Sequence, residues 1–186
     1  MFHNIVKYKN KKPKINPSAC VAEGVFISGD VIVGKNVSIW PNCTLRGDYA
    51  GIIIGDNTNL QDNSVVHVGY AKEKYTVNGK NIGYTIIGDN VTIGHGAILH
   101  ACKIKDNAFV GMGAILMDEV VVESNAMVAA GALVTPGKVV KSGELWGGNP
   151  AKLMRKLTKE EIDYFRVSAY NYVKLAKEYL NKAQQK

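Results

Sequence analysis

Along most of the chain an aliphatic residue returns at every sixth position. It falls at Ile15, Val21, Ile27, Val33, Ile39 and Leu45, and resumes at Ile54, Leu60 and Val66. It returns at Ile87, Ile93 and Leu99, then runs on through Ile104, Val110, Leu116, Val122, Val128 and Val134. Two residues before these positions the side chain is usually small, as at Ala19, Cys43, Ser64, Ala97, Cys102 and Ala126. In an extended strand residues two apart share a side, so each small–aliphatic pair faces one interior. Glycine follows the aliphatic residue at 34, 55, 88, 94 and 111, where a corner or a close backbone approach favours it. Three such hexapeptides close one triangular coil, six coils can be counted, and stacking them buries a continuous aliphatic column. An amphipathic helix would repeat apolar residues at three and four, and an antiparallel meander would need turns about every 8–12 residues. The middle of the chain does neither. The expected fold is mainly β, a parallel β-helix whose hand does not follow from the spacing.

The rhythm stops before WGGNPAKLMRKLTKEE, where Gly-Asn-Pro closes the regular part. Thr158 followed by Glu161 has the spacing of a capping box. Beyond it Ile162, Phe165, Ala169, Tyr172, Val173, Ala176 and Leu180 recur at three and four. That stripe predicts a helix of about six turns lying along an outer face of the β-helix. The chain thus divides into an N-terminal segment at 1–14, a β-helix at 15–149 with an inserted loop at 69–84, and a connector and α-helix at 150–186.

Composition narrows the class. At 186 residues and 46% hydrophobic, the chain suits one globular domain with a sizeable core. No apolar run approaches the roughly 20 residues of a membrane helix, so no membrane partner is expected. The opening MFHNIVKYKNKKPKINP lacks the apolar stretch of a secretory signal, which predicts a cytoplasmic protein. The net charge of +7 comes mainly from lysines within 7–14, 152–159 and 174–186, outside the repeats. Solvated termini account for it, and no nucleic-acid partner is expected. The three cysteines have no zinc-site spacing and leave an odd thiol, so no disulfide framework is expected. Cys43 and Cys102 occupy small inward positions as core fillers, whereas Cys20, next to an aliphatic position, should point outward.

The histidines change the picture. Of four, His3 lies outside the repeats, while His67, His95 and His100 lie within them. Leu45, Val66 and Leu99 are each third in their coil and should stack in one column, provided the breaks after 45 and 66 bulge without changing the face count. Arg46, His67 and His100 follow them and turn outward on that face. His67 and His100 would then sit on neighbouring coils, roughly 5 Å apart. His95 belongs to the preceding hexapeptide and a different face, out of reach within one chain. A threefold arrangement of prisms brings one subunit's His67 and His100 to a neighbour's His95. Three neutral imidazoles with an open fourth position are the donor set of a catalytic zinc site.

The segments RGDYAGIIIGDNTNLQDNSVVHVG, IGHGAILHACKI and WGGNPAKLMRKL closely resemble the γ-class carbonic anhydrase-like family of hexapeptide-repeat proteins, over nearly the whole chain. The resemblance implies left-handed coils, a homotrimer and a metal held by His67, His95 and His100. It implies an intersubunit salt bridge by Arg46 and Asp48, and water-orienting roles for Gln61 and Asp62. Tyr172 resembles a helix tyrosine that reaches the site. On their own, Gln61 and Asp62 are equally a pair bridging coils, and Tyr172 equally a packing residue. The implied activity is reversible hydration of carbon dioxide to bicarbonate by a metal-bound hydroxide. Zn2+ is the expected cofactor, and imidazoles also suit Fe2+, Co2+ and Ni2+.

The chain departs from the active members in one respect. Tyr49 stands where they carry a proton-shuttling glutamate, and the loop from Gly69 to Tyr84 offers only Glu73 among lysines. Slow, buffer-dependent turnover is therefore expected. Two other readings stand beside it: a hexapeptide acyltransferase with a coil histidine as general base, and a non-catalytic metal-binding trimeric scaffold.

Overall fold

A computed structural model describes residues 4–70 and 83–183. His3, Glu73 and most of the expected loop at 69–84 lie outside the described residues. The coils form a parallel β-helix with three faces. The first face stacks Lys14–Ile15, the end of Phe26–Val33, the end of Thr44–Ile54, Thr85–Ile87, Lys103–Ile104, Val121–Val122 and Val139–Val140. The second stacks Cys20–Val21, Ser38–Ile39, Asn59–Leu60, Thr92–Ile93, Phe109–Val110, Met127–Val128 and Glu144–Gly148. The third carries the starts of Phe26–Val33 and Thr44–Ile54, then Val65–His67, Ile98–His100, Ile115–Leu116 and Leu133–Val134.

Two expectations need correction. The stack makes about seven turns, not six, because the clock continues past Val134: Val140 pairs with Val122 and Trp146 with Val128. The break after 45 is not a bulging loop either. Thr44–Ile54 is one eleven-residue strand that runs through the corner beside Phe26–Val33, with a register shift between Gly29 and Val31. The face count survives, since Ile54 pairs with Ile87 and Val66 with Leu99. At the inserted loop Gly69 N donates to Gly83 O at 2.8 Å, so the chain leaves and re-enters the coil at one point.

The interior is the aliphatic column. Ile27, Leu45, Leu60, Val66, Ile93, Leu99 and Leu116 have no exposed surface, and each contributes about 1.5–3 kcal/mol by leaving water. Cys43 and Cys102 fill the column, and burial pushes their thiols up to about 11 and about 12. Among the described residues no buried side-chain N or O lacks a hydrogen-bond partner.

The corner between the first and second faces is built from a Gly/Lys-Asp-Asn signal. Asn57, Asn90 and Asn107 take the left-handed conformation, and Asn57 Nδ2 donates to Asn90 Oδ1 at 3.3 Å. Each aspartate accepts a backbone N–H from the coil before it: Asp56 from Lys35, Asp89 from Asp56, Asp106 from Asp89. Gly55 leaves room for this, since a Cβ there would stand 2.2 Å from Asp89 Oδ1.

The helix, Lys159–Ala183, covers the second face with Phe165, Ala169, Val173 and Ala176 buried. Its cap forms as the spacing predicts: Glu161 N donates to Thr158 Oγ1 and Thr158 N to Glu161 Oε2. Cys20 faces out of the coil as expected, and is nonetheless buried where the helix lies against that face. The connector holds a strand, Ala151–Lys156, antiparallel to Glu144–Gly148.

Candidate metal centre

The register that stacks Leu45, Val66 and Leu99 also stacks the residues after them. Arg46 pairs with His67 and His67 with His100. The two imidazoles lie side by side with ring centroids 5.1 Å apart, tilted by 54°. They close the third face at its corner with the first.

Carboxylates fix these rings. Asp48 Oδ1 lies 3.1 Å from His67 Nε2, and Asp48 Oδ2 pairs with Arg46 Nη1. Asp48 also accepts the Tyr49 N–H. Burial alone would raise the Asp48 carboxyl, and the hydrogen bonds from His67 and Tyr49 with the Arg46 charge outweigh it, leaving it below the usual range. Burial lowers His67 first, and Arg46 adds to this against the opposing pull of Asp48. The neutral imidazole, the form that binds metal, is thereby favoured. His100 Nδ1 lies 2.5 Å from Asp118 Oδ1.

His95 lies at the other end of the third face, in the corner leading from the second. Its Nδ1 is 2.9 Å from Asp62 Oδ2, and the corner is tied down by Gly96 N donating to Asp62 O and Gly113 N to His95 O. Gln61 is buried beneath it. Its Nε2 donates to Asn59 Oδ1, Asn59 Nδ2 donates to Thr92 Oγ1, and Thr92 meets Ser168 of the helix at 3.1 Å. This buried polar row engages the amide nitrogen of Gln61, and its carbonyl oxygen takes no part in the row. Tyr172 packs edge-on to Trp40, with ring centroids 5.7 Å apart; burial first and the Asp62 charge second raise its hydroxyl pKa.

The sequence-derived residues thus fall into two groups on opposite corners of one face: Arg46, Asp48, His67 and His100 on one, Gln61, Asp62 and His95 on the other, with Tyr172 close to Asp62. Among the described residues, no three His, Cys, Asp or Glu side chains of the single chain converge to hold a metal ion. Asp118, Asn59, Thr92 and Ser168 were not singled out by sequence. An acidic corner residue reads as solvated, and outward polar residues on a face read as exposed until a helix covers them. Beside Asp48 the exposed ring of Tyr49 leans on Tyr70, with centroids 5.0 Å apart.

Residues 101–136 match the family described as bacterial transferase hexapeptide (six repeats). Over 167 residues, 90% of this chain, the sequence is 53% identical to the mitochondrial gamma carbonic anhydrase 2 of Arabidopsis thaliana, of which the match covers 58%. The chain spans under two thirds of the length of the Arabidopsis relatives it matches. It is 39% identical over 182 residues to a carbonic anhydrase of Geobacillus kaustophilus (strain HTA426), covering 98% of this chain and 94% of that one. The crystal structure of a hexapeptide transferase family protein from Anaplasma phagocytophilum superposes with a TM-score of 0.85 at 49% identity, covering 94% of this chain and 97% of that one.

Proposed function

The chain belongs to the γ-carbonic anhydrase-like family of hexapeptide-repeat proteins, and from that premise we propose that it is a homotrimeric metalloprotein that hydrates carbon dioxide reversibly. The observation that carries the reading is the stacking of His67 on His100 at one corner of the face whose opposite corner holds His95. Packing three prisms side by side around a threefold axis parallel to them would bring each His67–His100 pair to the partner subunit's His95.

The donors fit a metal ion. His95 and His100 give Nδ1 to a carboxylate, leaving Nε2 free, the arrangement in which an outer-shell acceptor orients a ligating imidazole. In His67 it is Nε2 that faces Asp48, so Nδ1 is the nitrogen without a carboxylate. Zn2+, or Fe2+, Co2+ or Ni2+, would supply at this site the Lewis acidity that brings a water's pKa to about 7. Asp62 steadies His95, and Gln61, held by Asn59 at its amide nitrogen, offers its oxygen to the proton of the attacking water. Asp48 and Arg46 sit at the corner that meets the neighbour, where they would bridge subunits. Tyr172, close to Asp62, lines the same side.

Proton export sets the rate. Tyr49 carries no carboxylate to relay the released proton, which would leave directly to buffer. The proposed compartment is the cytoplasm; among the described residues no helix is long and apolar enough to cross a membrane. A second reading, acyl transfer with one coil histidine as general base, takes support from the likeness to the Anaplasma protein, a member of the hexapeptide transferase family.

Metal content per chain on protein purified without chelator, with light scattering for mass, tests the proposal. About one equivalent per chain, on a trimer, is expected, lost in His95→Ala, with carbon dioxide hydration that rises with buffer concentration. A monomer holding metal, or full metal in His95→Ala, sinks the shared site. Activity that depends on one histidine with metal unchanged favours acyl transfer.

A further inference from the structure

Each of the three histidines meets a carboxylate of its own chain, and the one that neither the six-residue rhythm nor the family segments mark is Asp118. We propose that Asp118 is a positioning residue: it holds His100 as the Nδ1–H tautomer, so that Nε2 faces the ion shared with the partner subunit's His95. The proposal rests on the metal reading above.

Three observations carry it. The contact is direct, 2.5 Å from His100 Nδ1 to Asp118 Oδ1, and among the described residues the Asp118 side chain has no other hydrogen-bond partner. In an imidazole, the nitrogen that carries the proton is set by the bond the other groups make to it, and a carboxylate acceptor fixes the donor there.

The backbone around the pair is also unusual. Ten non-glycine residues among those described have positive φ, and seven are asparagine. Of the other three, Ala101 (φ 45°) directly follows His100 and Glu119 (φ 63°) directly follows Asp118. They are stacked, with Glu119 N donating to Ala101 O at 2.9 Å and Ala101 N to His67 O at 3.2 Å. Left-handed backbone at such residues is strained and persists where the surroundings over-determine it.

The third observation is room. A Cβ on Gly69 would stand 3.1 Å from the Ala101 methyl and 3.8 Å from Asp118 Oδ2. A side chain at Gly69 would therefore press on Ala101, the strained residue beside His100, and come into contact with the Asp118 carboxylate. A surface His–Asp pair formed by chance needs neither the strained corner nor the gap, and is worth little.

The test uses the full chain. In metal-free protein, proton–nitrogen-15 correlation of the imidazoles is expected to show Nδ1–H at His100, moving towards Nε2–H in Asp118→Ala. His100 found as Nε2–H in the wild type, or a tautomer unchanged in Asp118→Ala, overturns the proposal whether or not metal binds. Competition for Zn2+ against a chromophoric chelator is expected to show about 10- to 100-fold weaker retention in Asp118→Ala. Asp118→Asn, which keeps an acceptor, should retain more than Asp118→Ala, and Glu123→Ala, at another corner, should match the wild type. Equal retention in wild type and Asp118→Ala overturns the positioning role and leaves the three-histidine site standing. A wild type that takes up no Zn2+ sinks the site, and the tautomer measurement then decides Asp118 alone.

Discussion

Glu119 is left-handed at a corner where the coils before and after place Ala101 and Gly137, and it lacks the short amide that makes this conformation tolerable for asparagine at the other corners. Glu119→Asn is therefore expected to stabilise the fold by about 0.5–1 kcal/mol, raising the melting temperature by a few degrees. A lower melting temperature would show that the glutamate side chain contributes more than its backbone costs. The thiols give a second residue-scale expectation. With Cys43 and Cys102 pushed up to about 11 and about 12 by burial, alkylation at pH 8 should be slow in the native protein and fast after unfolding. At this scale sequence resolved the phase of His67 and His100, because one residue after an inward anchor is outward by alternation alone. It did not resolve Asp118, whose partner depends on how a corner turns and which coil lies next to it.

Among the elements, the helix is tied to the β-helix at its start by the Thr158–Glu161 box and by Arg155, which binds Glu161 through both guanidinium nitrogens. The hydrogen bonds from Arg155, then the Thr158 N–H, hold the Glu161 carboxyl at about 2. Because the folded value lies below the ordinary 4.5, this contribution is complete above about pH 4.5 and is lost as pH falls towards 2. Helical circular dichroism followed across that window should show a loss that Glu161→Gln flattens. Thr158→Ala should cost about 1 kcal/mol at any pH, since it removes the cap itself. The helix was legible from its three-and-four stripe and its cap. The strand Ala151–Lys156 was not, since Leu153 and Met154 are exposed and no alternation marks an inward face.

The whole molecule depends on coils that approach each other closely at their corners. Gly55→Ala would drive a methyl to 2.6 Å from the Gly88 carbonyl carbon, and backbone cannot move aside there without separating two coils. A loss of about 1–3 kcal/mol is expected by thermal melting. Gly96→Ala, with nothing within 4 Å, should cost only its backbone strain at φ 67°. The overall fold was legible because a six-residue clock has few structural answers. The division of the histidines between two corners was legible from the same clock, whereas the buried row from Gln61 to Ser168 was not, because it exists only once the helix is docked.

The in-register pairing of coil on coil makes the molecule behave as a screw thread. Inserting about eighteen residues, one full turn, beyond Val134 would lengthen the prism and leave the two half-sites at the same angle and height. Inserting about six between His67 and His95 would instead rotate everything downstream by a third of a turn. His100 would then leave His67 for another face. The spacing of the histidines within the coils is thus an angular constraint, and length can vary only in whole turns or in a loop that, like the one between Gly69 and Gly83, leaves and re-enters at one point.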